Sequence, residues 1–158
     1  MMDSESASEP LACFTYGSLM WVDIMARVCG REAASLQAMP AWLAGHARHP
    51  VVGQDYPGLI VQPDAAPVQG VLYPELAPAE FERLDAFEGE EYERLRVEVA
   101  LQDPATGAGP TAWAWVYRFR TEFAHRLAPG EWSVEAFEAQ GKARFCARYV
   151  GFTHTPAP

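Results

Sequence analysis

Apolar positions along this chain recur with two periods, and the period changes where the elements change. Residues 11–16 are apolar and aromatic enough for a buried strand, and Gly17 ends it. Trp21, Ile24, Met25 and Val28 then recur at helical spacing, which predicts a helix over residues 20–29 with Ser18 as its cap and Gly30 as its stop. Residues 36–39 and 41–47 are expected to be strand, broken at Pro40, and residues 50–56 a loop. Two short strands follow at 58–62 and 68–73, joined by a Pro/Asp/Ala turn. Residues 78–88 read as a helix: Pro78 suits a first turn, Glu80 suits the positive end of the dipole, and Phe81, Leu84 and Glu88 share one stripe. Gly89 is the expected left-handed stop.

The second half alternates. Leu95, Val97, Val99 and Leu101 point one way and Arg94, Arg96 and Glu98 the other, which predicts a strand over 92–102. After a Gly/Pro turn at 103–110, residues 111–117 alternate again, with Trp113, Trp115 and Tyr117 opposite Ala112, Ala114 and Val116. The two runs form a natural hairpin. Rings on one face and small residues on the other suit the two sides of a narrow barrel, in either orientation. A last helix is expected over 133–150, capped by Ser133 and carrying Val134, Phe137, Gly141, Phe145 and Tyr149, where it would cover the barrel or a partner subunit. No internal repeat or second domain is visible.

One position conflicts with its pattern. Glu88 stands where the stripe of its helix asks for an apolar residue. A carboxylate there would be desolvated and would lie at the negative end of the helix dipole, and both raise its pKa. Such a group can take a proton near neutral pH and return it. A solvated acidic corner is the other reading of the same residue. Glu90, Glu91 and Glu93, past the glycine, read as solvated turn and strand-edge charges. The strand–turn–helix around Ser18 would aim unpaired backbone N–H groups at one point, where an anion such as a substrate carboxylate is welcome. An ordinary capped helix start would look the same. Tyr56-Pro57-Gly58 lines a pocket or simply makes the turn its composition requires.

Composition narrows the classes. The 158 residues suffice for one domain with a proper core, and 49% hydrophobic with 21% charged residues is a globular balance. A net charge of −9 argues against nucleic acid and against anionic membrane surfaces as partners. No apolar run approaches the length of a membrane span. Residues 1–10 are acidic and polar, a loose tail rather than a signal peptide, and residues 153–158 form a second tail, leaving 11–152 as the domain. Cys13, Cys29 and Cys146 are odd in number and lack metal spacing, so they read as reduced, partly buried thiols of a cytoplasmic protein. His46 and His49 lack further ligands and read as surface or satisfied histidines. Neither metal nor cofactor is expected.

Two stretches taken together carry a resemblance. Cys13-Phe14-Thr15-Tyr16-Gly17-Ser18-Leu19 near the start and Leu84-Asp85-Ala86-Phe87-Glu88-Gly89-Glu90-Glu91-Tyr92-Glu93-Arg94 later resemble the γ-glutamylcyclotransferase-like family, in its branch of avirulence-induced-gene-like proteins. Tyr56-Pro57-Gly58-Leu59, Val68-Gln69-Gly70-Val71-Leu72-Tyr73 and Trp113-Ala114-Trp115-Val116-Tyr117 keep the family's order, so the resemblance runs over about residues 11–119. It implies a single α/β domain of α+β type, with a mixed, mainly antiparallel barrel-like sheet, flanking helices and a pocket. It implies cleavage of a γ-glutamyl amide by attack of the substrate's own α-amine, releasing 5-oxoproline and an amine or amino acid. The family's acid–base glutamate maps onto Glu88. Its substrate-holding Tyr-Gly-Ser-Leu turn maps onto Tyr16, Gly17, Ser18 and Leu19, and its late tyrosine maps onto Tyr117, as a partner for the substrate or for Glu88, where a plain core or rim aromatic is the other reading. Some branches have drifted to other substrates. Two rivals stand beside this reading: a non-catalytic small-molecule-binding or interaction protein on the same fold, and an acyl transferase or hydrolase using Ser18 as nucleophile. The leaving amine, and whether the protein is a monomer or a homodimer, are left open by the sequence.

Overall fold

The structure, a computed structural model, describes residues 10–150, so the tails expected at 1–10 and 153–158 lie outside the described residues except for Pro10. The carbonyl of Pro10 accepts the indole N–H of Trp115 at 3.0 Å.

Five strands close into a barrel in the order β1 (Cys13–Thr15), β5 (Val68–Tyr73), β2 (Met39–Leu43), β6 (Tyr92–Ala100) and β7 (Thr111–Phe119). β1 runs parallel to β7, and every other neighbouring pair is antiparallel. β3 (His46–Pro50) and β4 (Pro57–Val61) form a separate two-stranded sheet. The short strands on either side of the Pro/Asp/Ala turn, β4 and β5, therefore belong to different sheets. The hairpin of β6 and β7 pairs in the register its alternation predicts, from Tyr92 opposite Phe119 to Ala100 opposite Thr111.

That register decides which face is inside. Val97 lies opposite Ala114 and Leu95 opposite Val116. Ala114, Val116 and Val99 are buried with Phe14, Leu43, Leu59 and Leu72 in one cluster that fills the barrel. The small residues face inward because side chains from β1, β2, β4 and β5 already occupy the narrow interior. The rings face outward: Trp113 is exposed, while Trp115 lies under the Arg94 guanidinium, 4.6 Å from its centroid.

Helices cover that outer face around a second cluster. α1 (Val22–Cys29) buries Ile24, Met25 and Cys29 and stops at Gly30 in the left-handed region. Ser18 does not cap it. Ser18–Met20 form a 3₁₀ turn of their own, so α1 starts after Trp21 without a side-chain cap. Pro40 does not break its strand either. It sits inside β2 opposite Val71, on a stretch where β6 reaches β2 only at Trp42–Ala100, so no ladder bond is asked of its missing N–H on that side. α2 (Pro78–Glu88) begins as expected, with Glu80 accepting the Ala77 N–H at 2.8 Å and pairing with Arg31 at 3.2 Å. It buries Phe81 and Leu84, each worth about 1.5–3 kcal/mol.

The last helical run, α3, spans residues 134–150 and is capped by Ser133, whose hydroxyl accepts the Ala136 N–H at 3.0 Å. It is not a regular α-helix. Turns of α type, Val134–Ala136 and Lys142–Phe145, alternate with π turns, Phe137–Gly141 and Cys146–Val150. Phe137, Gly141, Phe145 and Tyr149 recur every four residues. Four residues overshoot an α turn and undershoot the wider π turn, so the alternation keeps them in one line. All three cysteines are free and buried, more deeply than their sequence setting suggests. Among the described residues no helix is long and apolar enough to cross a membrane, and no cluster of His, Cys, Asp and Glu has the makings of a metal site. His46 and His49 are satisfied by the carbonyls of Ala44 and Gly130 at 3.0 and 2.7 Å.

Candidate active site

At one end of the barrel the 3₁₀ turn after β1, the C-terminus of α2 and the end of α3 converge on a cavity of about 120 Å³. Gly17, Ser18 and Leu19 line it from one side and Glu88 from another, so the two motifs far apart in sequence meet in space. Tyr16 and Tyr117 line it as well.

The turn is held by its carbonyls. The buried Arg48 donates to the Tyr16 carbonyl at 2.8 Å, and the buried Tyr73 hydroxyl donates to the Leu19 carbonyl at 2.7 Å. The carbonyls of Gly17 and Ser18 accept the N–H groups of Met20 and Trp21 at 3.0 and 3.2 Å. With the acceptors consumed, the N–H groups of Gly17, Ser18 and Leu19 are left without an acceptor among the described residues. Donors without acceptors at a cavity wall attract an anion. Gly17 is a glycine for a contact reason: a Cβ there would stand 2.7 Å from Cδ of Pro57.

Glu88 is the last residue of α2, followed by Gly89 at φ 79° and ψ −168°. The positive φ agrees with a glycine stop, but ψ places it in a region that only glycine enters readily, not in the left-handed helical one. The chain thus turns away sharply and leaves the Glu88 side chain at the cavity. Glu88 is half-buried, and its carboxyl makes no hydrogen bond among the described residues. Desolvation, helped by the negative charge of Asp85 one turn earlier, pushes its pKa up to about 8.

Asp85 is itself fixed. Arg94 pairs with it at 2.9 Å, and the Tyr117 hydroxyl donates to it at 2.7 Å. Tyr117 therefore orients α2 through Asp85, and its hydroxyl is already committed to a partner other than Glu88. The Tyr16 hydroxyl likewise donates to the backbone carbonyl of Tyr117, which ties β1 to β7 beneath the cavity. Among the neighbouring glutamates only Glu90 is exposed. Glu91 is not the solvated charge its position suggested: it accepts the Tyr56 hydroxyl at 3.1 Å and Arg126 at 2.6 Å. Glu93 stands 3.7 Å from Arg120.

Tyr56 and Pro57 line the cavity, which resolves the choice left open for that stretch. Sequence reasoning missed Phe87, Tyr92, Phe145 and Tyr149 as cavity residues, and Arg48 and Tyr73 as props of the turn. Phe87 was open to inference, as the neighbour of Glu88. The others carried no local signal.

The family model described as γ-glutamyl cyclotransferase, AIG2-like, matches residues 13–134. The chain is 30% identical over 132 residues to Protein AIG2 C of Arabidopsis thaliana, covering 84% of this chain and 74% of that protein. It superposes on a solution structure of an Arabidopsis thaliana protein with TM-score 0.62 and 26% identity, covering 86% of this chain and 85% of the other. A solved γ-glutamyl cyclotransferase shares the fold, with TM-score 0.55 and 18% identity over 71% of this chain and 68% of the other.

Proposed function

The chain belongs to the γ-glutamyl cyclotransferase, AIG2-like family, and we propose that it is an enzyme that cleaves a γ-glutamyl amide by intramolecular cyclisation. One observation carries the reading: a carboxyl poised near neutral pH and a turn with spare N–H donors line the same cavity.

The chemistry follows from those groups. The Glu88 carboxylate takes a proton from the substrate's α-ammonium. The freed amine attacks the γ-carbonyl carbon, a C–N bond forms, and the carbonyl pair moves onto oxygen. The N–H groups of Gly17, Ser18 and Leu19 hold the substrate's anionic oxygens. On collapse the oxygen pair returns to the carbonyl and the original amide C–N bond breaks; the leaving nitrogen keeps that pair and takes the proton back from Glu88, and the second proton of the ring nitrogen passes by way of the Glu88 carboxylate to the departing amine, which leaves as an ammonium. The products are 5-oxoproline and an amine, with no water consumed. The cavity's further contribution is to fold the substrate so that amine and carbonyl meet.

Two residues carry expected results, Glu88 and Ser18. For Glu88 the first is a pH profile. The base must be ionised to start, so kcat/KM for a γ-glutamyl amide should climb with pH and level off above about 8. A rate independent of pH from about 6 to 9 would contradict the assignment. The same shift has a stability consequence. A carboxyl whose folded pKa lies above its unfolded value binds its proton more tightly when folded. Its stabilising contribution is full below the unfolded pKa and is lost as pH rises toward about 8. Thermal melts of wild type and Glu88→Gln should therefore diverge in favour of the variant as pH rises from about 5 to 8.

The second residue is Ser18. Its hydroxyl has no partner among the described residues, and no histidine is among those that line the cavity. Ser18→Ala should lower kcat/KM by less than about tenfold, the scale of one hydroxyl hydrogen bond. Abolished turnover in a folded Ser18→Ala protein would support a serine nucleophile instead.

A further inference from the structure

Four aromatic rings close one side of the Glu88 cavity: Tyr56, Phe87, Phe145 and Tyr149. They form a connected set, with centroids 5.0 Å apart for Phe145 and Tyr149, 6.0 Å for Tyr56 and Tyr149, and 6.0 Å for Phe87 and Phe145. Phe145 and Tyr149 come from α3 and lie beyond residues 13–134, the span that the family model matches. The shared motifs thus bring the donors and Glu88, while the segment beyond them brings half of this wall.

α3 is fastened where it meets the cavity. Lys142 pairs with Asp23 at 3.0 Å and Arg144 with Asp55 at 2.7 Å, and the Tyr149 hydroxyl donates to Gln54 at 3.0 Å. Gln54 and Asp55 immediately precede Tyr56, so the last two of these contacts hold the rings from both segments in one arrangement.

The charge of the wall is as informative as its shape. Among the described residues lining the cavity there is no Lys, Arg or His. Arg148, 5.8 Å from the Tyr149 centroid, donates to Gln54 and is not among them. The spare N–H donors serve the γ-glutamyl end. A carboxylate on the leaving group would face rings and Glu88 with no partner, which is costly, whereas an apolar group would bury surface against the rings.

We propose that α3 sets the leaving-group specificity: Phe145 and Tyr149, with Tyr56 and Phe87, select γ-glutamyl amides of apolar amines that carry an aryl or branched alkyl group and no carboxylate. This rests on the cyclising reading above. The amide nitrogen departs with its apolar group, keeping the pair of the broken C–N bond and taking the proton from Glu88.

The test is kcat/KM for a matched set: γ-glutamyl-phenethylamide, γ-glutamyl-phenylalanine with the same ring plus a carboxylate, and γ-glutamyl-methylamide without a ring. Wild type should prefer the phenethylamide over both by about tenfold or more, the scale on which apolar pockets discriminate. Tyr149→Ala should reduce the phenethylamide-to-methylamide ratio by about tenfold, and Tyr149→Phe, which keeps the ring and leaves both salt bridges of α3 in place, should retain most of it. Tyr149 is 43% exposed, so its truncation leaves the core intact, and a thermal melt verifies the fold. Phe145→Leu, which keeps most of a buried volume, supplies a second variant expected to lower the same ratio. Equal or better turnover of γ-glutamyl-phenylalanine, or an unchanged ratio in both variants, would overturn the inference while the cyclising reading stands. Absence of 5-oxoproline from all three substrates and from a broad γ-glutamyl panel would overturn both.

Discussion

Glu88→Gln should cut turnover of a γ-glutamyl amide by at least ~10²-fold, the usual scale of general acid–base catalysis, in a protein that still folds and still binds substrate. Glutamine keeps the size and shape of the side chain but cannot cycle a proton. Folding survives because a carboxyl whose pKa is raised to about 8 by desolvation is a cost to the native state, not a prop. No hydrogen bond among the described residues depends on it. Binding should survive, because in the proposed reading the turn, not Glu88, holds the substrate's anionic end. Steady-state kinetics, a melt and calorimetric binding of the amide to the variant separate these effects. Glu90→Gln is the matched control on an exposed neighbour. Glu91→Gln is not equivalent, since it loosens Arg126 and Tyr56. Normal turnover by Glu88→Gln would remove the acid–base assignment.

Gly17→Ala should lower kcat/KM by about 10²-fold for a different reason, misplacement of the donors. The φ of Gly17 is −130°, so the demand for glycine is not one of positive φ. It comes from contact: the added methyl would stand 2.7 and 2.9 Å from Cδ and Cγ of Pro57. Pro57 has little room to yield, being buried and holding the Tyr92 hydroxyl on its carbonyl at 2.7 Å. The turn must therefore move, and its N–H groups with it. Overpacking of this kind also costs about 1–3 kcal/mol of stability, so the melting temperature should fall together with activity. Full activity in Gly17→Ala would show that the turn does not hold the substrate.

These two residues were legible in the sequence for physical reasons. A glutamate on an apolar stripe breaks a local rule, as functional positions commonly do, whereas the glycine–serine turn at the end of a buried strand breaks none and stood out only beside Glu88. The β6–β7 hairpin was legible because nine residues of each strand pair in one register and alternate as they do so. Its inward face was not, since that depends on Phe14, Leu43, Leu59 and Leu72 from other strands filling the interior. Pro40 misled because proline is excluded only where a ladder bond is needed, and the sequence does not show which side of a strand is paired. Arg48 carried no signal in the sequence, yet it is buried, lies 5.5 Å from the Trp132 ring centroid and holds the turn through Tyr16. Such a role is fixed by tertiary packing alone. The same holds for Tyr149, whose spacing along α3 marked a helix face but not the cavity that face adjoins.

Cyclisation and hydrolysis of a γ-glutamyl amide release the same amine, so the other product is what separates them. The most direct measurement is the fate of the glutamyl group when wild-type protein is incubated with a γ-glutamyl amide panel in ¹⁸O-labelled water. The account predicts 5-oxoproline in a 1:1 ratio with released amine and without label, because the attacking atom is the substrate's own nitrogen. Labelled glutamate in its place, or no product from any member of the panel, would contradict it.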